Sequence, residues 1–480
     1  MHPLLPAPTQ SWPLHDAAAT RRIEAAAQAT LPPHTLMRRA GVSVARLALA
    51  VAPHARRVLV LAGPGNNGGD GFEAARELQA LGREVRVVHF AAGAAPADAL
   101  AAQQRAAAAG VPVWQDVGEP DAELLIDALL GVGASRAPDA PMADAIRRTA
   151  KVPCVIAVDG PSGLHPDHGT ALGPVAVRAT HTLALLTAKP GFFTADGRDH
   201  AGRVWLDRLG VEITEAPSAT LIHPPPLPPR RHAQHKGSFG DVLVVGGAPG
   251  MTGALWLAAR AALAAGAGRV YVHPLDPQAS LFDAMQPELM GRRGGAPAGA
   301  TVVCGCGGGD AVREALPALL SRAARLLLDA DALNAIAADA GLQTLLAARA
   351  DRALPTVLTP HPLEAARLLG LRTAAEVQVD RLAAADMLAQ RWRCIVVLKG
   401  SGSVIAAPGR PPAINPTGNA RLASPGTGDV LAGWIAGRWA QAGGDGYDSA
   451  LRGVFEHGLA ADEGSSAVLP ANRLIDALRR

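Results

Sequence analysis

The chain has 480 residues, of which 49% are hydrophobic and 18% are charged, and its 45 basic residues are nearly balanced by 42 acidic ones. This composition is typical of globular proteins with large apolar cores. The near balance of charge argues against nucleic acid or an anionic membrane surface as the main partner, and aromatic residues at 3% offer few platforms for stacking bases. At about 150 residues per domain, the length predicts two to four domains.

The four cysteines are too few for a disulfide framework in a chain of this length. Free thiols in a reducing compartment are therefore expected, and no second Cys/His pair stands at zinc-ligand spacing from Cys304 and Cys306. Residues 1–16 lack the basic-then-apolar pattern of a signal peptide, and no apolar run reaches the roughly 18–20 residues of a membrane span. The sequence predicts a cytoplasmic protein.

The first half of the chain alternates helix and strand patterns. Helical patterns at 15–28 and 33–51 come first, and the apolar, β-branched run at 57–62 predicts a buried strand. A glycine-rich loop at 63–71, a helix to residue 81 and a strand at 84–90 follow, and this order is the repeating unit of a parallel sheet covered by helices. Later strands are predicted at 123–130, 152–158, 182–187 and 203–206.

A change of composition between residues 216 and 234 divides the chain. The run Pro-Pro-Pro-Leu-Pro-Pro at 224–229 cannot continue a helix or a sheet and predicts a stiff, extended linker. We place domains at 1–220 and 235–480, with the linker at 221–234. The second half repeats the alternation, which makes the fold class α/β throughout. Its strands are predicted at 241–245, 269–273, 326–328, 357–358 and 395–398.

The loop after the first strand of the 57–90 unit contains Gly63-x-Gly65-x-x-Gly68, which matches the dinucleotide-binding fingerprint. The following strand ends at His89 without the acidic residue that would hold a ribose hydroxyl. The sequence therefore argues against an ordinary dehydrogenase that binds NAD at this loop.

The same loop offers Asn66, Asn67 and Asp70 within five residues. Amide and carboxylate oxygens suit a hard cation or a ligand with many hydroxyl groups. A turn that uses Asn and Gly for their tolerance of positive φ is the alternative interpretation.

Three further polar residues follow strands of the first half. Asp127 and Ser162 lie at the ends of separate strands and could complete an oxygen cage for a monovalent cation, because the carboxyl ends of parallel strands line one crevice. Asp159, at the tip of its strand, is the best acid/base candidate of this domain. An Asx turn at the Asp-Gly-Pro-Ser-Gly sequence is the alternative for Asp159.

The stretch Ser-Pro-Gly-Thr-Gly-Asp-Val-Leu-Ala-Gly at 424–433 places a glycine turn at the start of an apolar helical run. Free N–H groups and the helix dipole make such a terminus an anion site. Asp429 in this turn suits a base held beside a phosphate. Capping of the helix by Asp429 is the alternative interpretation.

Other polar segments of the second half also follow apolar runs. Lys399-Gly400-Ser401-Gly402-Ser403 could clamp phosphate with a charged amine and backbone N–H groups, although its order differs from a P-loop. His361, between two prolines, is held rigidly and favours a ligand contact. Asp329 and Asp331 could contact a metal or cap the next helix, and we favour capping.

Taken together, these motifs resemble the bifunctional NAD(P)H-hydrate repair enzymes, over nearly the whole chain and in the same domain order. In that family an NAD(P)H-hydrate epimerase is fused to an ADP-dependent NAD(P)H-hydrate dehydratase. The resemblance implies a Rossmann-like three-layer αβα fold for the first domain and a ribokinase-like αβα fold for the second. It further implies that the first domain equilibrates R and S hydrates, and that the second dehydrates the S form with ADP, giving NAD(P)H, AMP and phosphate.

In the first domain the resemblance implies catalysis by Asp159 and potassium bound by Asn67, Asp127 and Ser162. The implied substrate contacts are Asp159 and the residues of two loops, namely Asn66, Asn67, Gly68, Gly69, Asp70, Gly131, Val132, Gly133, Ala134, Ser135, Arg136 and Ala137.

In the second domain it implies Asp429 as the catalytic base, ADP as phosphoryl donor and Mg²⁺ with it. The implied contacts to the hydrate are Ala254, Gly307, His361 and Asp429, and those to the nucleotide are Lys399, Gly400, Ser401, Gly402, Ser403 and Gly428. Partners are expected to be these small molecules only, and the protein is expected to form a homo-oligomer.

The sequence departs from the family pattern at four positions, none of which removes a group that the chemistry needs. Cys306 stands where proline is usual, and Leu363 stands where glycine is usual. Arg421 and Pro425 replace small residues just before the turn that carries Asp429. Arg421 could alter nucleotide affinity, which leaves the preference for ADP over ATP less firmly implied.

Three other functions compete with this interpretation. A ribokinase-fold vitamin or sugar kinase would use the same base and phosphate clamp, but it has no need of the loop at 66–70. A non-catalytic first domain acting as a protein or RNA scaffold would be expected to lack Asp159 or Asp127, and both are present. An NAD dehydrogenase is weakened by the missing acidic residue after the second strand.

Overall fold

The computed structural model describes residues 1–5, 8–91, 93–118, 120–133, 135–224, 226–227 and 229–479. The chain divides into two compact units, Met1–Leu221 and Ile222–Arg480. Pro225 and Pro228 of the predicted linker lie outside the described residues. None of the described helices combines the length and apolarity needed to cross a membrane.

The first unit contains ten short or medium strands and six helices among its described residues. The strands are β1 (His2–Pro3), β2 (Trp12–Leu14), β3 (Arg57–Ala62), β4 (Glu84–His89), β5 (Val113–Trp114), β6 (Leu124–Ala128), β7 (Cys154–Val158), β8 (His181–Leu185), β9 (Arg203–Asp207) and β10 (Ala219–Leu221). The helices are α1 (Ala17–Gln28), α2 (Thr35–Val51), α3 (Asn66–Ala80), α4 (Ala97–Ala108), α5 (Ala140–Thr149) and α6 (Gly197–His200), with a 3₁₀ turn at Pro190–Phe193.

The second unit continues the alternation of strands and helices. Its strands are β11 (Asp241–Gly246), β12 (Arg269–Pro274), β13 (Met290–Gly291), β14 (Thr301–Cys304), β15 (Arg325–Leu328), β16 (Thr356–Leu358), β17 (Ile395–Leu398), β18 (Val404–Ala406) and β19 (Ala413–Ile414). Its helices are α7 (Thr252–Ala264), α8 (Val312–Arg322), α9 (Ala330–Ala337), α10 (Ala340–Asp351), α11 (Pro362–Leu369), α12 (Ala374–Val379), α13 (Arg381–Trp392), α14 (Thr427–Ala442), α15 (Tyr447–Asp462) and α16 (Ala471–Leu478), with 3₁₀ turns at Lys236–Phe239 and Ala420–Leu422.

Each unit is built on a largely parallel sheet. The first has the strand order β1-β9-β8-β7-β6-β3-β4-β5, in which only β1 pairs antiparallel. The second has the order β13-β12-β11-β14-β15-β16-β17-β18-β19, with antiparallel pairing from β17 onwards. β2 and β10 of the first unit pair antiparallel with each other. The prediction of an α/β fold is confirmed.

Alternate residues of the strands enter two different cores, because successive side chains of a strand point to opposite faces. In β3, Val58 and Val60 pack with α2, α3 and α4, whereas Leu59 and Leu61 pack with α5. β11 divides its side chains between the α8–α11 side and the side of α7, α14 and α15 in the same way. Helices therefore cover both faces, and each unit has the expected three-layer αβα arrangement.

The glycine-rich segment at 63–71 is shorter than the predicted loop, because α3 already begins at Asn66. A Cβ atom on Gly68 would lie 2.0 Å from the carbonyl oxygen of Gly63. Glycine at position 68 thus lets the first turn of the helix pack directly on the end of β3. The alternative interpretation, a turn in which Asn and Gly adopt positive φ, is wrong, because Asn66 and Asn67 already belong to the helix and have negative φ.

Candidate active sites

The strand order of each sheet reverses at one point, and ligands of open α/β sheets bind outside the carboxyl ends of the strands at such a point. In the first unit the reversal lies between β3 and β6, and in the second between β11 and β14. Asn66 follows β3 and Asp127 lies near the end of β6 in the first unit, and Cys306 follows β14 in the second. Two candidate sites follow, one in each unit.

In the first unit a cavity of about 60 Å³ opens at this edge. Four of the predicted substrate contacts line it, from three separate stretches of chain: Asn66, Asp70, Val132 and Asp159. α1 and α2 supply further walls, including Glu24 and Met37, which sequence analysis did not identify.

Asp159 is held at this cavity by a buried lysine. Its backbone has a positive φ of 56°, an uncommon conformation for a residue other than glycine. The amide of Leu185 donates to Oδ1 of Asp159 over 3.0 Å, and Nζ of Lys189 donates to the same oxygen. Lys189 is fully buried, and its amine also donates to the carbonyl oxygens of Leu185 and Thr187. The carboxylate has therefore little freedom to turn.

Burial raises the pKa of Asp159, although the charge of Lys189 opposes this shift. Burial, together with the charge of Asp159, also raises the pKa of Asp70 well above its ordinary value. The pKa of Glu24 is raised by burial in the same way. Carboxyl groups with raised pKa values can both accept and donate protons near neutral pH, so the cavity is equipped for acid/base chemistry.

Asp127 and Ser162 form a tight buried pair beside this cavity. The hydroxyl of Ser162 donates to Oδ1 of Asp127 over 2.6 Å and its amide donates to Oδ2 over 2.8 Å. Burial raises the pKa of Asp127 to about 6. The amide of Leu130 donates to the Ser162 hydroxyl oxygen over 2.9 Å. These contacts bring the segments after β6 and β7 together.

Asn67 is the third predicted cation ligand. Its side-chain oxygen and nitrogen are buried without a hydrogen-bond partner in the described part of the chain. Its side-chain oxygen lies 3.2 Å from the Cβ position of Gly131, in the loop that continues from Leu130. A buried amide oxygen without a hydrogen-bond partner lowers the stability of the fold. A cation bound to this oxygen would take the place of the missing partner. The donor set of amide, carboxylate and hydroxyl oxygens suits a hard monovalent cation.

The remaining predicted contacts of the first unit do not line the cavity. Gly68 and Gly69 abut Gly63 and Met37 inside the fold. In the second loop Ser135 and Arg136 are exposed, and Ala137 packs near Gly173. Gly133 lies near the Arg21 side chain. Ala134 lies outside the described residues.

The site of the second unit contains the side chains of Cys306, Asp329 and Asp429. One ligand atom from each lies within 4.8 Å of the other two. Burial raises the pKa of Asp429 to about 6, with the charge of Asp329 acting in the same direction. Burial raises the pKa of the Cys306 thiol well above its ordinary value, so this group is a protonated hydrogen-bond donor.

Asp329 occupies the N-cap position of α9, but its side chain makes no capping hydrogen bond to that helix. Its Oδ1 atom instead accepts from Nζ of Lys399 over 2.7 Å and from the hydroxyl of Thr359 over 2.8 Å. Asp331 accepts from the amide of Gly309 over 2.8 Å. The capping prediction is wrong for both residues, because tertiary contacts take their oxygens.

Asp429 is the third residue of α14, and Gly426 with a φ of 86° occupies the cap position. The capping alternative for Asp429 is therefore wrong. His457 fixes the turn by donating from Nε2 to the carbonyl oxygen of Thr427 over 2.9 Å. The Cβ position of Gly428 lies 3.4 Å from Nζ of Lys399. A free helix terminus, an amine and a carboxylate thus converge, which suits phosphoryl transfer.

His361 both caps α11 and contacts Glu364. Its Nδ1 atom accepts from the amide of Leu363 over 3.1 Å, and its Nε2 atom lies 3.1 Å from Oε1 of Glu364. Burial lowers the pKa of His361 and raises that of Glu364 to about 7. The charge of Lys399 acts on both groups, which places them beside the Asp329 cluster.

The other predicted contacts of the second unit fall into two groups. A Cβ on Gly307 would lie 2.9 Å from the Cβ of Ala254, so these two residues are neighbours. The segment from Lys399 to Ser403 turns over the buried Arg381 guanidinium, which donates to the carbonyl oxygens of Leu398 and Lys399. Ser403 closes the turn by donating to the carbonyl oxygen of Gly400 over 3.2 Å.

Arg421 is directed at the end of α15. Its guanidinium donates to the carbonyl oxygen of Ala461 and to the hydroxyl of Ser466. Its charge is thus engaged within the second unit.

Lys189 is the main site residue that sequence analysis missed. The composition contained a signal for this residue, because only four of the 45 basic residues of the chain are lysines. Two of the four, Lys189 and Lys399, follow strands and are paired with the buried carboxylates of Asp159 and Asp329. Where arginine supplies the surface charge, a lysine after a strand indicates a specific need for an amine.

Comparison with protein families and known proteins agrees with this two-site arrangement. A family model described as NAD(P)H-hydrate dehydratase matches residues 242–479, and one described as YjeF-related protein N-terminus matches residues 33–191. A bifunctional NAD(P)H-hydrate repair enzyme of Escherichia coli is 36% identical over 475 residues, covering 95% of this chain and 90% of the relative. One from Moorella thermoacetica is also 36% identical, covering 85% and 83%.

A solved structure from Bacillus subtilis is similar to part of the chain. It is an ADP/ATP-dependent NAD(P)H-hydrate dehydratase co-crystallised with ATP and Mg²⁺, with 30% identity and a TM-score of 0.43. The match covers 52% of this chain and 92% of that protein.

Proposed function

The chain belongs to the family of bifunctional NAD(P)H-hydrate repair enzymes, and we propose that its first unit epimerises the hydrates while its second unit dehydrates them with ADP. The observation that carries this division is the presence of two separate carboxylate sites, one at the strand-order reversal of each sheet. Each site contains a lysine–aspartate ion pair with one fully buried member, Lys189 with Asp159 and Lys399 with Asp329.

In the first unit Asp159 is the acid/base group that exchanges protons with the hydrated nicotinamide ring. Its fixed position beside Lys189 and Leu185 supports this role, because proton transfer needs a group held within hydrogen-bond reach of the reacting atom. Asp70, with its raised pKa, is placed at the same cavity to hold the second proton.

Potassium is the ion that we assign to Asn67, Asp127 and Ser162. The fit rests on the buried Asn67 oxygen without a partner and on the hard-oxygen donor set. When bound, the ion supplies positive charge close to the loops that hold the substrate. Asn67 and Asp127 then orient those loops, since Asn67 lies in the helix after β3 and Asp127 near the end of β6.

In the second unit Asp429 accepts the proton of the ring hydroxyl as that oxygen attacks the terminal phosphoryl group of ADP. AMP leaves, the phosphorylated hydrate eliminates phosphate together with a proton from the neighbouring ring carbon, and NAD(P)H results. Lys399 and the amides at the start of α14 are arranged to hold phosphate, as the short distance from Gly428 to the Lys399 amine supports. Mg²⁺ enters with the nucleotide phosphates, and no side chain of this protein is assigned to it.

The experiment that tests this function mixes the protein with a racemic NADH hydrate and follows recovery of reduced nicotinamide absorbance. Parallel reactions contain ADP, ATP or no nucleotide. Recovery of both epimers with ADP is the expected result. Recovery of only half would leave the dehydratase and remove the epimerase, and no recovery with either nucleotide would favour a kinase instead.

We also propose a cytoplasmic location and a homo-oligomeric state. The free thiols of the four cysteines support a reducing compartment. Light scattering of the purified protein gives the oligomeric state directly.

A further inference from the structure

A second cavity, of about 390 Å³, opens at the same edge of the first unit. We call it the arginine groove, and it is lined by Arg38, Arg39 and Arg46 of α2 and by Asp207, Leu209 and Gly210 after β9. Leu209 lines both this groove and the cavity that contains Asp159. The two cavities are therefore neighbours at the carboxyl edge of one sheet, where ligands of this fold class bind.

The charge of the groove is predominantly positive. Nη1 of Arg39 donates to the carbonyl oxygen of Leu209 over 2.7 Å, which fixes that guanidinium at the groove wall. Arg38 and Arg46 are exposed, and within the described ranges their side chains have neither a hydrogen bond nor an ion pair. Two guanidinium groups thus remain available to a ligand.

Asp207 is the one carboxylate that lines the groove, and its oxygens are already in use. It accepts from the hydroxyl of Ser43 and, over 2.9 Å, from the amide of Leu209. Both donors lie on the walls of the groove or beside them, so Asp207 holds α2 and the turn after β9 together. Three arginines against one occupied carboxylate leave a site suited to an anion.

Phosphate is the anion that guanidinium groups match best, because its oxygens accept paired hydrogen bonds from the planar fork. The substrate of the proposed epimerase carries phosphate far from its reacting ring: a diphosphate in both hydrates, and a further 2′-phosphate in NADPH hydrate. We propose that the arginine groove binds a phosphate group of the dinucleotide hydrate while the nicotinamide ring occupies the Asp159 cavity. This proposal rests on the proposed epimerase function.

Contacts to a phosphate remote from the reacting ring stabilise the bound substrate and the transition state equally. Losing these contacts should therefore raise KM and leave kcat unchanged. Hydrogen bonds between a guanidinium and a phosphate are charge-assisted and stronger than bonds between neutral groups. Removing Arg38 and Arg46 together should therefore raise KM by at least about tenfold.

The test compares the parent protein with Arg38→Ala/Arg46→Ala in epimerisation assays without nucleotide, with R and S forms separated by chromatography. The substrates are NADH hydrate, NADPH hydrate and the hydrate of reduced nicotinamide mononucleotide, which lacks the diphosphate linkage and the adenosine. The matched control is Arg147→Ala/Arg178→Ala, which removes two exposed arginines near the opposite core of the same unit. Calorimetry with NADPH hydrate gives the same comparison without turnover.

We expect a higher KM for the dinucleotide hydrates, an unchanged kcat and no change with the mononucleotide or in the control. A loss with both dinucleotides assigns the groove to the diphosphate, and a loss with NADPH hydrate alone assigns it to the 2′-phosphate. Unchanged KM and affinity for both dinucleotides would overturn the proposal and leave the epimerase standing. An equal loss with the mononucleotide, which retains one phosphate, would assign the groove to the phosphate next to the nicotinamide ribose. A parent protein that binds the hydrates but epimerises none of them would instead remove the proposed function.

Discussion

The thiol of Cys306 lies beside the carboxylate of Asp429, in a cluster where one ligand atom from each of them and one from Asp329 lie within 4.8 Å of one another, and it acts to lower the pKa of Asp429. Cys306 follows β14 and Asp429 begins α14, so the contact joins a strand end to a helix start at the point where the strand order reverses. A hydrogen bond to the ionised form of a carboxyl group lowers its pKa. The thiol therefore opposes the effect of burial on the proposed base.

The dehydration rate should depend on the ionisation of Asp429. Burial raises its pKa to about 6, and only the ionised form can accept the hydroxyl proton. The rate at saturating ADP and hydrate should be level above that pH and fall about tenfold per pH unit below it. A pH profile of kcat measures this, and a rate independent of pH from about one unit below the pKa to about two units above it would contradict the role of base.

Replacing Cys306 should shift the acidic limb of the profile, the pH range in which kcat falls as the pH is lowered. Cys306→Ala removes the neighbouring thiol that lowers the pKa of Asp429, so the limb should shift to higher pH. Cys306→Ser retains a donor and should keep the limb closer to its original position. Profiles of kcat for the three proteins, with epimerisation as the control activity, distinguish a change in the base from a general loss of folding. Identical limbs would show that the thiol does not act on Asp429.

Substitution at one site should abolish the activity of that unit and leave the activity of the other unit intact. Asp429→Asn should abolish dehydration while epimerisation continues, and Asp159→Asn should do the reverse, with losses of about 10²–10⁴-fold typical of an acid/base group. Both substitutions keep side-chain volume and can be assayed on one preparation. If either variant were folded but inactive in both reactions, the assignment of one site to each unit would be wrong.

Lys189→Met should impair the first unit alone. It leaves Asp159 buried without its opposite charge, which raises the carboxyl pKa further and costs about 3–5 kcal/mol of unfolding free energy. Epimerisation should weaken and its acidic limb should move to higher pH, whereas dehydration should persist. Lys151→Met provides the control, because Lys151 is an exposed lysine of the same unit. Equal Tm values and equal pH profiles for Lys189→Met and Lys151→Met would exclude a role for the pair of Lys189 and Asp159.

Potassium should stabilise the protein through Asn67. Ligands that bind only the folded state raise Tm, so potassium chloride should give a higher Tm than choline chloride at the same ionic strength. Asn67→Ala should remove the difference, whereas Arg136→Ala, an exposed substitution in the second loop, should retain it. Equal Tm values of the parent in both salts would argue against the ion.

The local sequence pattern was sufficient to predict the alternation of strands and helices, because buried parallel strands consist of short apolar runs rich in β-branched residues. The bounds of β3 and β17 coincide with the predicted runs at 57–62 and 395–398. The two-residue strands β1, β5, β13 and β19 were not predicted. Such short strands are set by their partners in the sheet and leave no periodic signal of their own.

The candidate sites could be predicted only in part, since motifs identify which residues stand at strand ends but not what they touch. Asn66, Asp70 and Asp159 do share one cavity. The expected caps at Asp329 and Asp331 were wrong because Lys399, Thr359 and Gly309, distant in sequence, take those oxygens. Catalytic and binding roles for the predicted residues stay predictions until the variants above are assayed.

The scarcity of lysine has a practical consequence for chemical labelling. Lys189 is fully buried and Lys399 is paired with Asp329, whereas Lys151 and Lys236 are exposed, one in each unit. Amine-reactive dyes and resins therefore find an accessible lysine on both units without entering either site. Coupling through these amines should immobilise the protein on a surface with both reactions intact, which suits its use as a recycling catalyst for damaged nicotinamide cofactors.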